Sequence, residues 1–143
     1  MLSVLIVDDS STIRKMLTFL LSDMNFNVVA TASSGEEGIA LYNQHKPHFV
    51  TMDVNMVGMS GIEALKKIRD IHKDANVFML TSRGDDKVVM DSIKYGAKGY
   101  ILKPLVKEKI EKAIISIFPN AFKNEEEKQE DNSNVQNYES SIK

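Results

Sequence analysis

The stretch Phe49-Val50-Thr51-Met52-Asp53 decides how the rest of this chain is interpreted, because it is a short apolar and β-branched run that ends on a carboxylate. A run of this length, closed by the polar and glycine residues of positions 54–60, is typical of a buried strand. Asp53 is therefore predicted at the point where the strand meets solvent. We take Asp53 as the chemical centre of the chain.

Two other segments end on polar side chains in the same way. Residues 4–7 are followed by Asp8 and Asp9, and residues 77–80 are followed by Thr81. If the three strands lie parallel in one sheet, their carboxyl ends open into one crevice, which is where open α/β sheets bind their ligands.

Strand and helix patterns alternate along the chain. Apolar spacing and turn residues predict strands at 3–7, 28–32, 49–53, 76–80 and 99–102, and helices at about 11–23, 35–45, 61–71, 86–95 and 107–118. Two helices begin with the spacing of a capping box, Ser34 to Glu37 and Ser60 to Glu63. Because parallel strands need right-handed crossover helices, this order predicts an α/β fold, a doubly wound five-stranded parallel sheet with five helices.

The composition restricts the class of protein. The chain has 143 residues, which is long enough for one domain with a substantial core. Of these residues 43% are apolar and 27% are charged, as is usual for a globular protein. Its net charge of -2 argues against binding nucleic acid through bulk positive charge. The sequence has no cysteine and no apolar run long enough to cross a membrane, so we expect a cytoplasmic protein without thiolate chemistry.

The composition changes near residue 120. Residues 120–143 contain six acidic residues, three lysines and few apolar residues. Such a segment buries too little apolar surface to offset the entropy of ordering it. We therefore expect one domain at 1–119 and an acidic, flexible tail at 120–143.

Acidic side chains at adjoining strand ends predict a cation site. Asp8, Asp9 and Asp53 would repel one another unless a cation joins them. A few hard oxygen ligands, with room left for water, suit Mg²⁺. Lys103 follows the fifth strand and can neutralise an incoming phosphate, and Thr81 offers a hydroxyl. A carboxylate nucleophile, a metal, a cation and a hydrogen-bond donor are the parts that phosphoryl transfer needs.

Each of these features has a simpler explanation when it is taken alone. An acidic pair after a strand often serves only to cap a helix, and a Lys-Pro pair is often only a turn. Their joint occurrence at the ends of four different predicted strands favours one shared site.

In order and spacing, these segments resemble the receiver domains of two-component response regulators, most closely the stand-alone chemotaxis type, CheY. The resemblance covers residues 1 to about 119 and rests on Leu5-Ile6-Val7-Asp8-Asp9-Ser10, Met52-Asp53-Val54-Asn55-Met56 with Gly61, Thr81-Ser82, and Tyr100-Ile101-Leu102-Lys103-Pro104. It implies a flavodoxin-like sheet with strand order 2-1-3-4-5.

The resemblance also implies a role for each acidic residue. Asp53 would accept a phosphoryl group from a phosphohistidine on a histidine kinase of the CheA type. Mg²⁺, or Mn²⁺ in its place, would be held directly by Asp9, by Asp53 and by the backbone carbonyl of Asn55. Asp8 would hold the same ion through water.

A phosphorylation switch follows from the same resemblance. Lys103 and Thr81 would bind the phosphoryl oxygens, and the Lys103-Pro104 bond would be cis. Thr81 would then move toward the phosphoryl group, and Tyr100 would turn from an exposed to an inward position. This change would be read on the fourth helix, the fifth strand and the fifth helix. Alternatively, Tyr100 is an ordinary half-buried strand aromatic.

The implied partners are those of a chemotaxis regulator. A monomer would bind a flagellar motor switch protein when phosphorylated, and a phosphatase of the CheX, CheC or CheZ type could act on it. An alternative is a phosphorelay intermediate that passes its phosphoryl group to another histidine protein.

The sequence departs from the family pattern at several positions. Val57 stands where proline is common, and Ser82 stands where a smaller residue is usual. Asn55 and Arg83 lie at positions that would flank an attacking water, and we expect them to set the lifetime of the phosphoryl group. Val106 precedes the last helix where a capping hydroxyl would be expected.

Two rival functions are possible for such a fold, and the residues at the strand ends argue against both. A flavodoxin-like electron carrier needs a phosphate-binding loop after the first strand, where Asp8 and Asp9 would repel the phosphate. A phosphatase resembling the haloacid dehalogenase class would carry an acid two residues after its nucleophile, where this chain has Asn55. We therefore expect a signalling switch that hydrolyses its own phosphoryl group slowly, and not a metabolic enzyme.

Overall fold

Strands and helices alternate along the chain in a computed structural model that describes residues 1–82 and 86–122. The strands are β1 (Ser3–Val7), β2 (Asn27–Ala32), β3 (Phe49–Asp53), β4 (Val77–Thr81) and β5 (Gly99–Leu102). The helices are α1 (Ser11–Asp23), α2 (Gly35–His45), α3 (Gly61–Ile71), α4 (Asp86–Lys94) and α5 (Lys107–Ile117). Each predicted element is present, and its ends differ from the prediction by about one residue.

The strands form one parallel sheet in the order β2-β1-β3-β4-β5. This order confirms the predicted doubly wound, flavodoxin-like fold. Within the sheet, β2 lies next to β1 on one side, and the chain then crosses back so that β3 lies next to β1 on the other side. The crevice of such a sheet lies at this reversal, outside the carboxyl ends of β1 and β3.

Apolar clusters fill both faces of the sheet. On one face, α1 and α5 bury Leu17 and Ile110 against Phe49. On the other face, α2, α3 and α4 cover a second cluster, in which Leu65 packs with Met52. Each fully buried side chain of this size contributes about 1.5–3 kcal/mol relative to an exposed one, so the strands that carry the site are firmly held.

Serine hydroxyls start three of the helices, two of them at the predicted capping boxes and the third at Ser10. The backbone N–H groups of Ile13, Glu37 and Glu63 donate to the Oγ atoms of Ser10 at 3.3 Å, Ser34 at 3.2 Å and Ser60 at 3.2 Å, respectively. Val106, at the start of α5, makes no such bond, because its side chain has no polar atom. None of the helices in the described part has both the length and the apolar character of a membrane span.

The packed chain continues beyond α5 to Phe122. The ring of Phe122 lies edge-on to Phe26 with centroids 5.5 Å apart, and Ala121 packs against the same cluster. Packing therefore extends past the domain end predicted at 119. Residues 123–143, which make up most of the predicted acidic tail, lie outside the described part.

Gly61 allows α3 to begin directly against the end of β3. A Cβ atom at this position would overlap the backbone carbonyl oxygen of Asp53. The N–H of Gly61 also donates to the carbonyl of Val54 at 3.0 Å. The absence of a side chain at Gly61 thus helps to fix the backbone that carries Asp53.

We expect Gly61→Ala to lower the free energy of unfolding by about 2 kcal/mol or more, because the rigid backbone at Asp53 has to move. Urea unfolding followed by circular dichroism measures this change. The matched control is Gly35→Ala, also at the first position of a helix, where the three atoms nearest to a Cβ all belong to the Met59 side chain, at 3.0 to 3.2 Å, instead of to a backbone carbonyl. Equal stability of the two variants would contradict the steric role of Gly61.

Candidate functional site

The strand register brings the predicted site residues to one edge of the sheet. Pairing of β1 with β3 sets Asp8 at the level of Asp53. Pairing of β4 with β5 sets Thr81 opposite Leu102, so that Lys103 leaves β5 beside Thr81. Residues that are far apart in the sequence therefore meet around one crevice.

Three carboxylates form a compact cluster in this crevice. Oxygen atoms of Asp8, Asp9 and Asp53 lie within 4.8 Å of one another. Asp8 and Asp53 are buried, with 1% and 2% of their surface exposed, whereas Asp9 is exposed. Carboxylates this close repel one another, so the cluster favours a cation that approaches from the open side at Asp9.

Lys103 supplies a positive charge from the opposite side. Its Nζ lies 3.1 Å from Oδ1 of Asp53, and 29% of the Lys103 side chain is exposed against 3% of the Asp53 side chain. The Lys103 N–H donates to the carbonyl of Thr81 at 2.8 Å, which fixes the backbone at this point. The Lys103-Pro104 bond is cis, as the resemblance implied.

Asp8 is held in an environment that disfavours its charge. Burial raises the pKa of Asp8, the Ser10 N–H that donates to Oδ1 at 2.9 Å lowers it, and the charge of Asp53 raises it. Among the described residues, no group donates a hydrogen bond to the buried Oδ2 of Asp8. A buried carboxylate oxygen without a partner is energetically unfavourable. The Asp8 carboxylate, together with those of Asp9 and Asp53, therefore fits a hard cation that prefers oxygen ligands, such as Mg²⁺.

Asp9 is bound to the loop between β3 and α3. The backbone N–H of Val57 donates to Oδ2 of Asp9 at 3.2 Å. The family that the sequence resembles commonly has proline at this position, and proline has no N–H to donate. The departure at Val57 therefore adds a hydrogen bond to a predicted metal ligand.

The remaining predicted residues lie around the crevice at different depths. Thr81 is buried, with 1% of its surface exposed, at the end of β4. Tyr100 is 45% exposed on β5, and Asn55 is exposed in the loop two residues after Asp53. Ser82 is exposed as well, and Arg83 lies outside the described residues.

Two supporting contacts were not predicted from the sequence. The guanidinium of Arg14 donates to the carbonyl of Asp8 at 2.7 Å. Lys109 Nζ donates to the carbonyls of Leu102 and Pro104, each at 3.3 Å, and so brackets Lys103. Both contacts join a side chain to a backbone oxygen, which no residue pattern specifies.

Comparison with known proteins identifies the family. The family model described as response regulator receiver domain matches residues 4–115. The chain belongs to the response regulator receiver family. It is a two-component receiver of the CheY type, and receiver domains bind Mg²⁺ at an acidic pocket like the cluster described above.

Similar proteins include chemotaxis receivers. The receiver is 40% identical to CheY of Bacillus subtilis over 111 residues, 78% of this chain and 92% of that protein. It is 36% identical to CheY of Thermotoga maritima over 111 residues, with the same shares covered. A crystal structure of a CheX-CheY-BeF3-Mg²⁺ complex from Borrelia burgdorferi matches with a TM-score of 0.79 and 38% identity, over 82% of this chain and 89% of that one. These similarities confirm the family resemblance drawn from the motifs.

We expect Asp8→Asn to raise the free energy of unfolding of the metal-free receiver by about 1 kcal/mol, because it removes a buried charge from a repulsive cluster. Urea unfolding in EDTA at pH 7 measures this change. Asp70→Asn, which alters an exposed carboxylate of α3, should change stability by only about 0.5 kcal/mol or less.

The stability gained by Asp8→Asn should depend on pH. Because folding raises the pKa of Asp8, the folded state disfavours the charged form, and the penalty is present at neutral pH. As the pH falls and Asp8 binds a proton, the stability difference between the wild type and Asp8→Asn should shrink. A difference that grows on acidification would contradict this account.

Proposed function

We propose that this receiver is a phosphorylation switch in which Asp53 accepts a phosphoryl group from a histidine kinase of the CheA type. One observation carries the proposal: the buried Asp53 carboxylate lies 3.1 Å from Lys103 Nζ and within 4.8 Å of two further carboxylates. A nucleophile, a fixed cation and an acidic ion site thus meet at one point.

Asp53 would act as the nucleophile. One of its carboxylate oxygens attacks the phosphorus of the phosphohistidine, the phosphorus–nitrogen bond breaks, and the imidazole leaves with the electron pair. Lys103, already within hydrogen-bond distance of Asp53, stabilises the negative charge on the transferred group. Hydrolysis later returns the Asp53 carboxylate and releases inorganic phosphate.

The acidic cluster would hold the divalent ion that this transfer requires. Asp9, Asp53 and the backbone carbonyl of Asn55 would be direct ligands, and Asp8 would act through water. When bound, Mg²⁺ or Mn²⁺ neutralises charge on the phosphoryl oxygens. The unpaired Oδ2 of Asp8 supports this assignment, because a buried acceptor without a protein donor can accept a hydrogen bond from a metal-bound water.

Thr81 and Tyr100 would convert the chemical event into a change of surface. The Thr81 hydroxyl would bind a phosphoryl oxygen and leave its place at the end of β4. Tyr100 is 45% exposed and would turn inward into that place. Because a ligand shifts a two-state element only through differential contacts, the new charge on Asp53 biases the Thr81 position first.

The output we propose is phosphorylation-dependent control of a flagellar motor switch protein in chemotaxis. Its basis is the similarity to proteins named as chemotaxis CheY. A phosphatase of the CheX type is a proposed partner, since a similar solved structure is a CheX-CheY complex. The receiver would act as a cytoplasmic monomer.

We further propose that a receiver domain, predicted from composition at 1–119, is followed by an acidic tail, predicted at 120–143. The contact of Phe122 with Phe26 favours a boundary after Phe122.

We also propose that Asn55 and Arg83 set the lifetime of the phosphoryl group on Asp53.

We expect incubation with acetyl phosphate and Mg²⁺ to add one phosphoryl group, and peptide mapping by mass spectrometry to locate it on Asp53. The Asp53→Asn variant should gain none, because the amide is not a nucleophile for this transfer. EDTA should abolish labelling of the wild type. Labelling that persists in Asp53→Asn to the same extent would contradict the assignment of Asp53.

The direction of transfer distinguishes the two output hypotheses. A phosphorylated kinase of the CheA type should label the wild type within the same assay. A phosphorelay intermediate would also pass its phosphoryl group back to a histidine phosphotransfer protein, whereas a motor regulator should release it as inorganic phosphate.

A further inference from the structure

Val57 contacts the candidate site through its backbone. The residue is 89% exposed, so its side chain contributes little to packing. Its N–H nevertheless donates to Oδ2 of Asp9 at 3.2 Å, across 48 positions of the sequence. Gly58 follows with a φ of 81°, so the loop turns directly after this contact.

Asp9 differs from the other two carboxylates in how it is held. Asp8 is buried and accepts the Ser10 N–H at 2.9 Å, and Asp53 is buried and accepts Lys103 Nζ at 3.1 Å. Asp9 is exposed, and among the described residues the Val57 N–H is the group that donates to its carboxylate. This bond therefore restricts a side chain that solvent exposure would leave free to rotate.

We infer that the Val57 N–H is a positioning group that orients Asp9 for the divalent ion and so raises the affinity of the receiver for Mg²⁺. The inference rests on the proposed function, because it requires Asp9 to be a ligand. A carboxylate has two oxygens, so the bond to Oδ2 leaves Oδ1 able to bind the ion. Restricting Asp9 in advance lowers the entropy lost on binding.

Two substitutions at Val57 separate its backbone from its side chain. Val57→Pro removes the N–H donor, whereas Val57→Ala keeps the donor and removes only exposed side-chain atoms. Isothermal titration of MgCl₂ into the metal-free full chain, at constant ionic strength, gives the Kd of each variant. Asp53→Asn reports whether the measured binding belongs to the acidic cluster.

We expect the Kd of Val57→Pro to rise about tenfold, the usual scale when a group that orients a metal ligand is lost. The Kd of Val57→Ala should stay within about twofold of the wild type, as for other surface changes. An equal or lower Kd for Val57→Pro than for Val57→Ala would overturn the inference alone. Wild-type binding that is absent, or unchanged in Asp53→Asn, would overturn the proposed metal site together with the inference.

A second measurement does not depend on how the proline variant folds. In the metal-free ¹⁵N-labelled receiver, Asp9→Ala should move the Val57 amide proton resonance upfield and speed its exchange with solvent, since the acceptor is gone. The Val54 amide, which donates to the carbonyl of Leu80 at 3.1 Å, should keep its resonance and serves as the control. A Val57 amide that is unaffected by Asp9→Ala would overturn the inference.

Discussion

Electrostatic repulsion among three carboxylates is the constraint on which the site depends. Asp8, Asp9 and Asp53 lie within 4.8 Å of one another, and two of them are buried. Lys103 offsets part of this repulsion through its contact with Asp53. The charge that remains is the physical basis for an ion site, because a divalent cation is the simplest group that can satisfy all three carboxylates.

The fold keeps these charges together although they repel. Two strands that end side by side carry Asp8 and Asp53, and apolar clusters on both faces of the sheet prevent these strands from separating. Gly61 lets α3 begin against the carbonyl of Asp53 and closes the backbone behind it. The stability of the core thus supports a locally unfavourable cluster, as is common where a protein binds ligands.

The residues of the proposed switch also lie on strands that the packed core holds in place. Thr81 is buried at the carboxyl end of β4, next to the point where Lys103 leaves β5, while Tyr100 is exposed on that strand. A new charge at Asp53 would therefore act first on groups at the crevice and only then on the surface. The loop at Val57 lies on the other side, where its N–H reaches the exposed Asp9.

The sequence by itself determined the alternation of strands and helices, the serine caps, and the candidate residues Asp8, Asp9, Asp53, Thr81 and Lys103, because apolar periodicity and strand-end polarity are local signals. Only the tertiary structure decided the 3.1 Å contact of Lys103 with Asp53, the hydrogen bond from the Val57 N–H to Asp9 and the hydrogen bond from Arg14 to the Asp8 carbonyl. It also decided that Phe122 packs against Phe26, beyond the boundary that composition indicated. Three of these contacts join segments that are far apart in the sequence. Two of the four use a backbone N–H or carbonyl, which almost every residue carries, so no residue pattern along the chain specifies them and the fold fixes their partners.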